Sequence, residues 1–451
     1  MSGCRAVSNV WFPHDEASFG VATLRILLGL WVALSGVGVA AASQAPAEPL
    51  REVVTDVRVH GNQITPDAEI VRLAGIAPGD PFESSTIARV RAALDHTGKF
   101  RHIDVLKRFA SIADPSQILI VIVVDEGPVS VEAAGVPGEP VRVVRRRALT
   151  NVMFMPILEG EDGYGLTYGA RVAYVGVTGK RGRLSMPLAW GGRKQAGVVF
   201  ERDFVSGPLT RFQVGAAIGR STNPAFREDD TRRRMWIRAE RAMGLVRTGG
   251  EIGRQTVEFG GVRDRVRSVG ADVTFDTRVD PVLPRNAVYA AAGWTHLQFA
   301  DRGVADRTGV DRVRLDGRAY RGLIGQSVIV ARVLHERTSG PLPDYLDPLL
   351  GGWSSLRGFR AGSFVGDRLL QSSLELRVPV SSPLQAAKLG VSAFADSGTG
   401  YDWNQRLADR PFHTGIGGSA WLVLTAFRAE FSVAHGLGAG TRVNFGLGLL
   451  Y

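Results

Sequence analysis

From about residue 150 to the C-terminus the chain shows no helical period. It shows segments of roughly ten residues in which apolar and polar side chains alternate, separated by clusters of Gly, Pro, Asp and Arg. In the last segment Val443, Phe445, Leu447, Leu449 and Tyr451 fall on one side, and Asn444, Gly446 and Gly448 on the other. In LLQSSLELRVPV, Leu370, Ser372, Leu374, Leu376, Val378 and Val380 oppose Gln371, Ser373, Glu375 and Arg377. In TAFRAEFSV, Phe427, Ala429, Phe431 and Val433 oppose Arg428, Glu430 and Ser432. One apolar and one charged face suits either a soluble sandwich or an outer-membrane barrel. Two features favour the barrel: the charged positions mix both signs on one face, as a wet lumen would, and the chain ends on an aromatic residue within a strand. The 302 residues from 150 onward accommodate an even-numbered barrel of about 12 to 16 strands.

The N-terminus predicts export. Ile26–Ala42 is uncharged and apolar, follows Arg25 and precedes SQAPAEP, the layout of a signal peptide over residues 1–45. The single cysteine, Cys4, would leave with it, so neither a disulfide framework nor a cysteine zinc site is available. Beyond that segment no apolar run approaches the length of a transmembrane helix; ILIVIVV at 118–124 is strand-sized.

Residues 53–127 have a different texture, reading strand, helix, helix, strand, strand. VVTDVRVHG alternates and stops at Gly61; Pro66-Asp67 opens a helix in which Ile70, Leu73 and Ala74 share a face. Ser84-Ser85 is placed to cap a second helix, with Ile87, Val90, Ala93 and Leu94 on one side and Gly98 at its end. FRHIDVLKRF and QILIVIVVDEGP complete a small α+β unit.

Four segments in order then resemble the bacterial surface antigen superfamily, the BamA/TamA-type outer-membrane assembly factors and two-partner secretion transporters. VRVHGNQIT, GDPF and GKFRHIDV resemble a POTRA domain; FDTRVDPVLPRNAVYAAAGW resembles the family's strand motif, with Asp276, Arg278, Pro281 and Pro284; GGWSSLRGFRAGSFVGDRLLQSSLELRVPV resembles its long loop and following strand; FADSG resembles the next barrel motif. The resemblance implies a mainly β protein: a 16-stranded antiparallel transmembrane barrel over 151–451, a linker over 129–150 and one periplasmic POTRA domain over 50–128. It also implies that the loop motif Leu356, Arg357, Gly358 and Phe359 folds into the lumen, where Arg357 meets Asp396 and where Glu375 and Arg428 can join. The flanking glycines let such a loop turn sharply and approach other backbone, and a guanidinium in a confined lumen needs carboxylate partners. By the same resemblance the client-binding edge is the second POTRA strand, with Arg101, Ile103, Val105 and Lys107, although Arg101, Asp104, Lys107 and Arg108 are also the charges that discourage edge pairing.

Other chemistry finds little support. His96 and His102 lack metal-ligand spacing, GVTGKRG lacks the glycine spacing of a phosphate loop, and no G-x-S-x-G occurs. The expectation is a protein without cofactor, metal or bond chemistry. The net charge of +10 concentrates in RVVRRR (142–147) and TRRRMWIR (231–238), without the aromatic platform of a nucleic-acid binder; lumen lining or contact with anionic lipid head groups fits better. Three functions remain: an assembly factor that captures unfolded outer-membrane or secreted polypeptide and inserts it, a polypeptide secretion pore, and a passive channel. Such pores usually carry a plug helix and two POTRA domains, for which the stretch before Val53 has no room, and a single POTRA argues against accessory lipoproteins.

Overall fold

The computed structural model describes residues 52–62, 65–83, 85–100, 102–111, 114, 116–125, 129–132, 142–145, 152–179, 181–278, 283–300, 308–381, 387–423 and 427–449. The expected signal peptide, Arg101, Pro281 and Tyr451 lie outside them.

The small unit is built as its periodicity predicts. Strand β1 (Val53–His60) is followed by helices α1 (Asp67–Ala74) and α2 (Thr86–His96), then β2 (His102–Phe109) and β3 (Gln117–Asp125). The sheet order is β1-β3-β2, with β3 parallel to β1 and antiparallel to β2. Ile118, Ile120 and Ile122 turn the alternate face of β3 toward the helices, where they bury with Val54, Ile70, Val90 and Leu94. Each such side chain contributes about 1.5–3 kcal/mol by leaving water. Left-handed Gly75 and Gly98 follow the two helices. The expected serine cap differs: Ser85 already has helical angles, and its hydroxyl accepts no N–H from the first turn but donates to the Glu83 carboxylate at 3.3 Å.

Between the two large units, β4 (Val129–Glu132) and β5 (Arg142–Arg145) pair as an antiparallel ribbon, which places part of RVVRRR in a strand. The barrel begins with β6 (Val152–Glu161), β7 (Gly165–Val175), β8 (Gly182–Gly191), β9 (Arg193–Asp203) and β10 (Arg211–Thr222). It continues through β11 (Asp229–Met243), β12 (Val246–Phe259), β13 (Val262–Asp276), β14 (Ala287–Phe299), β15 (Gly309–Gly322) and β16 (Val328–Thr338). The short pair β17 (Leu349–Leu350) and β18 (Phe364–Val365) lies within the following loop. The wall resumes with β19 (Arg368–Ser381), β20 (Lys388–Tyr401), β21 (His413–Val423), β22 (Phe427–Gly436) and β23 (Gly440–Leu449). Sixteen strands, all antiparallel to their neighbours, close the wall where β23 meets β6.

Burial settles which face is inside. Glu375, Glu430 and Asn444 are buried, whereas their apolar strand neighbours are bare: Leu374 is 51% exposed, Phe431 50% and Val443 62%. A soluble sandwich would show the reverse. An apolar exterior around a charged interior is the solution for a wall that faces hydrocarbon. Lumen charges form ladders of opposite sign: Arg318 and Arg332 both bond Asp316, Arg312 and Arg314 share Glu336, and Arg238 joins Glu240 and Asp272.

The near end of the barrel, where β6 begins, meets the small unit. Gln326, in the β15–β16 turn, donates its side-chain N–H to the Ser111 carbonyl just beyond β2, and Arg181 of the β7–β8 turn lies 3.8 Å from Asp95 at the end of α2.

Candidate functional site

The loop between β16 and β19 enters the barrel from its far end and is held at two places. At one wall Tyr345 and Leu346 pack on Val257, Val266, Leu297 and Val310, all lumen-facing. Tyr345 donates its hydroxyl to Asp264 at 2.6 Å, and Arg232 donates to the Tyr345 carbonyl at 2.5 Å.

At the opposite wall stands the loop motif. Leu356 and Phe359 bury with Leu334, Leu350 and Leu369, and Phe359 meets the Phe364 ring edge-on at 5.2 Å. Gly358 has φ +96, and a Cβ there would lie 2.7 Å from the Gly436 nitrogen, so only glycine lets the loop reach β22. That approach places Arg357 over three carboxylates. Its Nε donates to Asp396 Oδ2 at 2.7 Å and its Nη2 to Oδ1 at 2.8 Å, a bidentate fork, while its backbone N–H donates to Oδ2 at 3.1 Å. Nη1 lies 3.5 Å from Glu375 and 3.6 Å from Glu430. The guanidinium carbon sits 3.3 Å from the centre of the Phe394 ring, and Ser373 donates its hydroxyl to Asp396 Oδ1 at 2.7 Å. Asp396 is fully buried, and Glu375 and Glu430 are also paired with Arg377 and Arg428. Close pairing of guanidinium with carboxylate is what makes buried charges tolerable here.

The structure therefore brings Arg357, Asp396 and Glu375 together. Sequence reasoning missed Glu430, Ser373 and Phe394 as members, although Glu430 and Ser373 each stand two residues from a lumen-facing partner. Asp276 and Arg278 lie elsewhere, at the near end of β13, and bond one another in a fork at 2.9 and 2.8 Å. Arg278 also stacks 4.4 Å over Tyr289 on β14.

In the small unit β2 is an outer strand of the sheet. Ile103 and Val105 turn into the core, however, and Lys107 is bound by both Glu52 oxygens at 2.6 Å and lies over Phe82. What this edge offers a partner is backbone.

The loop also carries a carboxyl with a raised pKa, Asp347. Burial first, and then the neighbouring Asp367, Asp344 and Asp402 carboxylates, push Asp347 up to about 7, against a smaller opposing pull from Arg312. A carboxyl raised in the docked loop binds its proton more tightly there than in the released loop. The docked loop is thus most favoured below the ordinary carboxylate range, and that advantage is lost as pH rises toward 7. Tryptic cleavage after the exposed Arg360 is expected to accelerate between pH 5 and pH 8, relative to an unstructured peptide control. Asp347→Asn should flatten the profile; an unchanged slope in that variant would remove Asp347 from the account.

The seam is the second feature. Strands β22 and β23 pair continuously from Phe427–Leu449 to Gly436–Gly440, whereas β23 and β6 share one register pair among the described residues, Leu447 with Gly160. Three prolines interrupt barrel strands. Pro187 and Pro379 coincide with gaps or shifts in their ladders, and Pro156 lies on β6, paired to Ala170 on β7 with its other side along the seam. Proline is confined to strand edges and irregularities because it donates no hydrogen bond.

Comparison with known proteins agrees with this architecture. Residues 227–451 match the Omp85 superfamily domain and residues 52–127 the POTRA domain described as a surface antigen variable number repeat. No curated protein sequence matches the chain. Among solved structures it is similar to BamA from Haemophilus ducreyi lacking POTRA domains 1–3, at 14% identity and a TM-score of 0.57, covering 88% of this chain and 84% of that one. CdiB from Acinetobacter baumannii (10% identity, 89% and 74% coverage) and CdiB from Escherichia coli (12%, 98% and 100%) each align with a TM-score of 0.47. With a POTRA domain on the periplasmic side of a 16-stranded outer-membrane barrel, the chain belongs to the Omp85 superfamily.

Proposed function

We propose that this protein is an outer-membrane assembly factor: its POTRA edge captures unfolded polypeptide, and the β6–β23 seam offers the client a strand to pair with during insertion. The observation that carries this reading is the single Leu447–Gly160 pair at the seam, beside a β6 whose lower part has no register partner on β23 among the described residues. An unpaired strand edge in hydrocarbon leaves backbone groups unsatisfied at a cost of several kcal/mol each, and an incoming strand satisfies them without sequence preference. The outer position of β2 supports capture by the same backbone chemistry, and the end of that strand adjoins the barrel through Ser111 and Gln326. The loop held inside the lumen argues against a permanently open channel for small solutes.

The test is a two-arm proteoliposome measurement with the full protein. One arm follows protease protection of a urea-unfolded outer-membrane barrel, and the other records single-channel conductance. Accelerated folding with small, flickering conductance is expected. Large steady conductance with no acceleration would overturn the assembly reading in favour of a polypeptide pore or passive channel.

A further inference from the structure

The arginine-rich strand β11 divides its charges between two faces; the inward set is bonded, and on the outward face Arg241 donates to the Gly207 carbonyl near the periplasmic end, which leaves Arg233. Arg232 bonds Asp230 and Arg238 bonds Asp272, both facing the lumen. Arg233 has the opposite parity, facing outward with the exposed Met235 and Ile237. The register carries this outward face across two more strands: Arg233 stands opposite Thr256, Met235 opposite Arg254, and Arg254 directly opposite Arg267. All three arginines are exposed, and among the described residues none pairs with a carboxylate. The acidic neighbours on this face are otherwise engaged, Asp229 with Arg220 at 2.7 Å and Glu258 with Arg263 at 3.9 Å. Like charges directly opposed on one sheet face destabilise it, so Arg254 and Arg267 call for a shared anion.

Their height selects which anion. Below them the outward face is apolar, with Ile237 on β11, Ile252 on β12, and Val269, Val273 and Phe275 on β13, until Arg241 near the periplasmic end of β11. From Arg267 to Phe275 the strand covers roughly 20 Å of depth at ordinary rise and tilt, close to the ~25 Å apolar band of such barrels. The three arginines therefore crown the hydrocarbon belt at its extracellular boundary. Beside them a furrow of about 560 Å³ opens on the outer wall, lined by Ala196, Val198, Ala216, Ile218 and Met235, with Arg233 and Arg254 on its border. Small residues on β9 and β10 leave this space.

We propose that Arg233, Arg254 and Arg267 with the adjoining furrow form a binding site for a phosphate-bearing lipid of the outer leaflet, the arginines taking the phosphates and the furrow an acyl chain. A free anion would satisfy the charges but leave the furrow empty; a neutral lipid would do the converse. Arginine's fork suits phosphate oxygens, and each basic group near a membrane surface adds about 1 kcal/mol of attraction to anionic lipid.

The experiment uses the full protein in neutral detergent, titrated with a bis-phosphorylated glucosamine lipid and followed by native mass spectrometry. Heat-modifiable gel migration confirms that each barrel is folded. The Arg233→Gln/Arg254→Gln/Arg267→Gln variant is expected to bind about tenfold or more weakly, and Ala216→Trp, which fills the furrow without altering charge, severalfold more weakly. The lipid lacking phosphates should bind both proteins weakly and alike. Unchanged affinity in the folded triple variant would overturn the site. Displacement of the lipid by millimolar inorganic phosphate would show an anion patch without a chain site, and equal losses for the phosphate-free lipid would show that the arginines do not read phosphate; either result also overturns it.

Discussion

Cysteines at Gly160 and Leu447, oxidised to a disulfide, are expected to reduce client folding to its uncatalysed rate, and reduction should restore it. These two residues are the register partners at the seam, so their Cα atoms lie within the distance a disulfide bridges. The chain's single cysteine, Cys4, lies far away in sequence, and replacing it by serine leaves only the engineered pair. The expected loss is near-complete because, among the described residues, the wall elsewhere offers no comparable opening. The β22–β23 ladder runs the length of both strands, and parting it means losing many hydrogen bonds of about 0.5–1.5 kcal/mol each. One register pair costs little to part; a covalent bond does not part at all. The control is the same chemistry at Val433 and Val443, register partners across β22–β23, where oxidation should leave activity unchanged. Wild-type folding by the oxidised Gly160–Leu447 variant, with disulfide formation verified, would remove the seam from the mechanism.

Arg357→Ala is expected to release the loop, raise single-channel conductance and lower client folding by an order of magnitude or more. The substitution leaves Asp396 fully buried with the Ser373 hydroxyl but no cation, whereas Glu375 and Glu430 keep Arg377 and Arg428. Breaking a buried pair from one side costs about 3–5 kcal/mol because the surviving charge is stranded. Asp396→Ala removes the fork but leaves Arg357 beside Glu375 and Glu430, so it should do less damage. The double variant, which strands neither partner, is then expected to be clearly less impaired than the sum of the single changes. Arg357→Lys should not rescue, since an ammonium supplies neither the fork to Asp396 nor the flat face over Phe394. Loop protection from trypsin, conductance and client-folding rate read the three consequences separately, with membrane level as the control. An Arg357→Ala protein with wild-type protection and activity would show that the clamp is ornamental to function.

Much of the wall was legible in the residues. Alternation in β19, β22 and β23 located strands and their two faces, because successive side chains in an extended chain point to opposite sides. The POTRA elements followed from a change of period within one short stretch, and Gly98 was read correctly as a helix stop. The Ser85 cap was not, because capping depends on the backbone angles of one residue and composition does not report them. Arg357 and Asp396 were linked by motif resemblance and not by spacing, since 39 residues separate them.

What the sequence determined by itself is therefore local: where the chain extends, where it turns, and that each strand has one apolar and one charged side. Alternation alone leaves open which side faces inward, because a sandwich and a membrane barrel share it and differ only in the solvent outside; mixed charges on one face and the motif resemblance favoured the barrel. The tertiary structure decided this by burying Glu375, Asp396 and Glu430 and leaving Phe154 and Ile252 bare. It also decided everything that depends on register between strands. Glu430 and Phe394 join the clamp because β19, β20 and β22 bring them level, Leu447 meets Gly160 because closure fixes the stagger of the wall, and Arg254 faces Arg267 on the outer surface. Register is set by turn lengths and by closing all sixteen strands at once. No single segment contains that information.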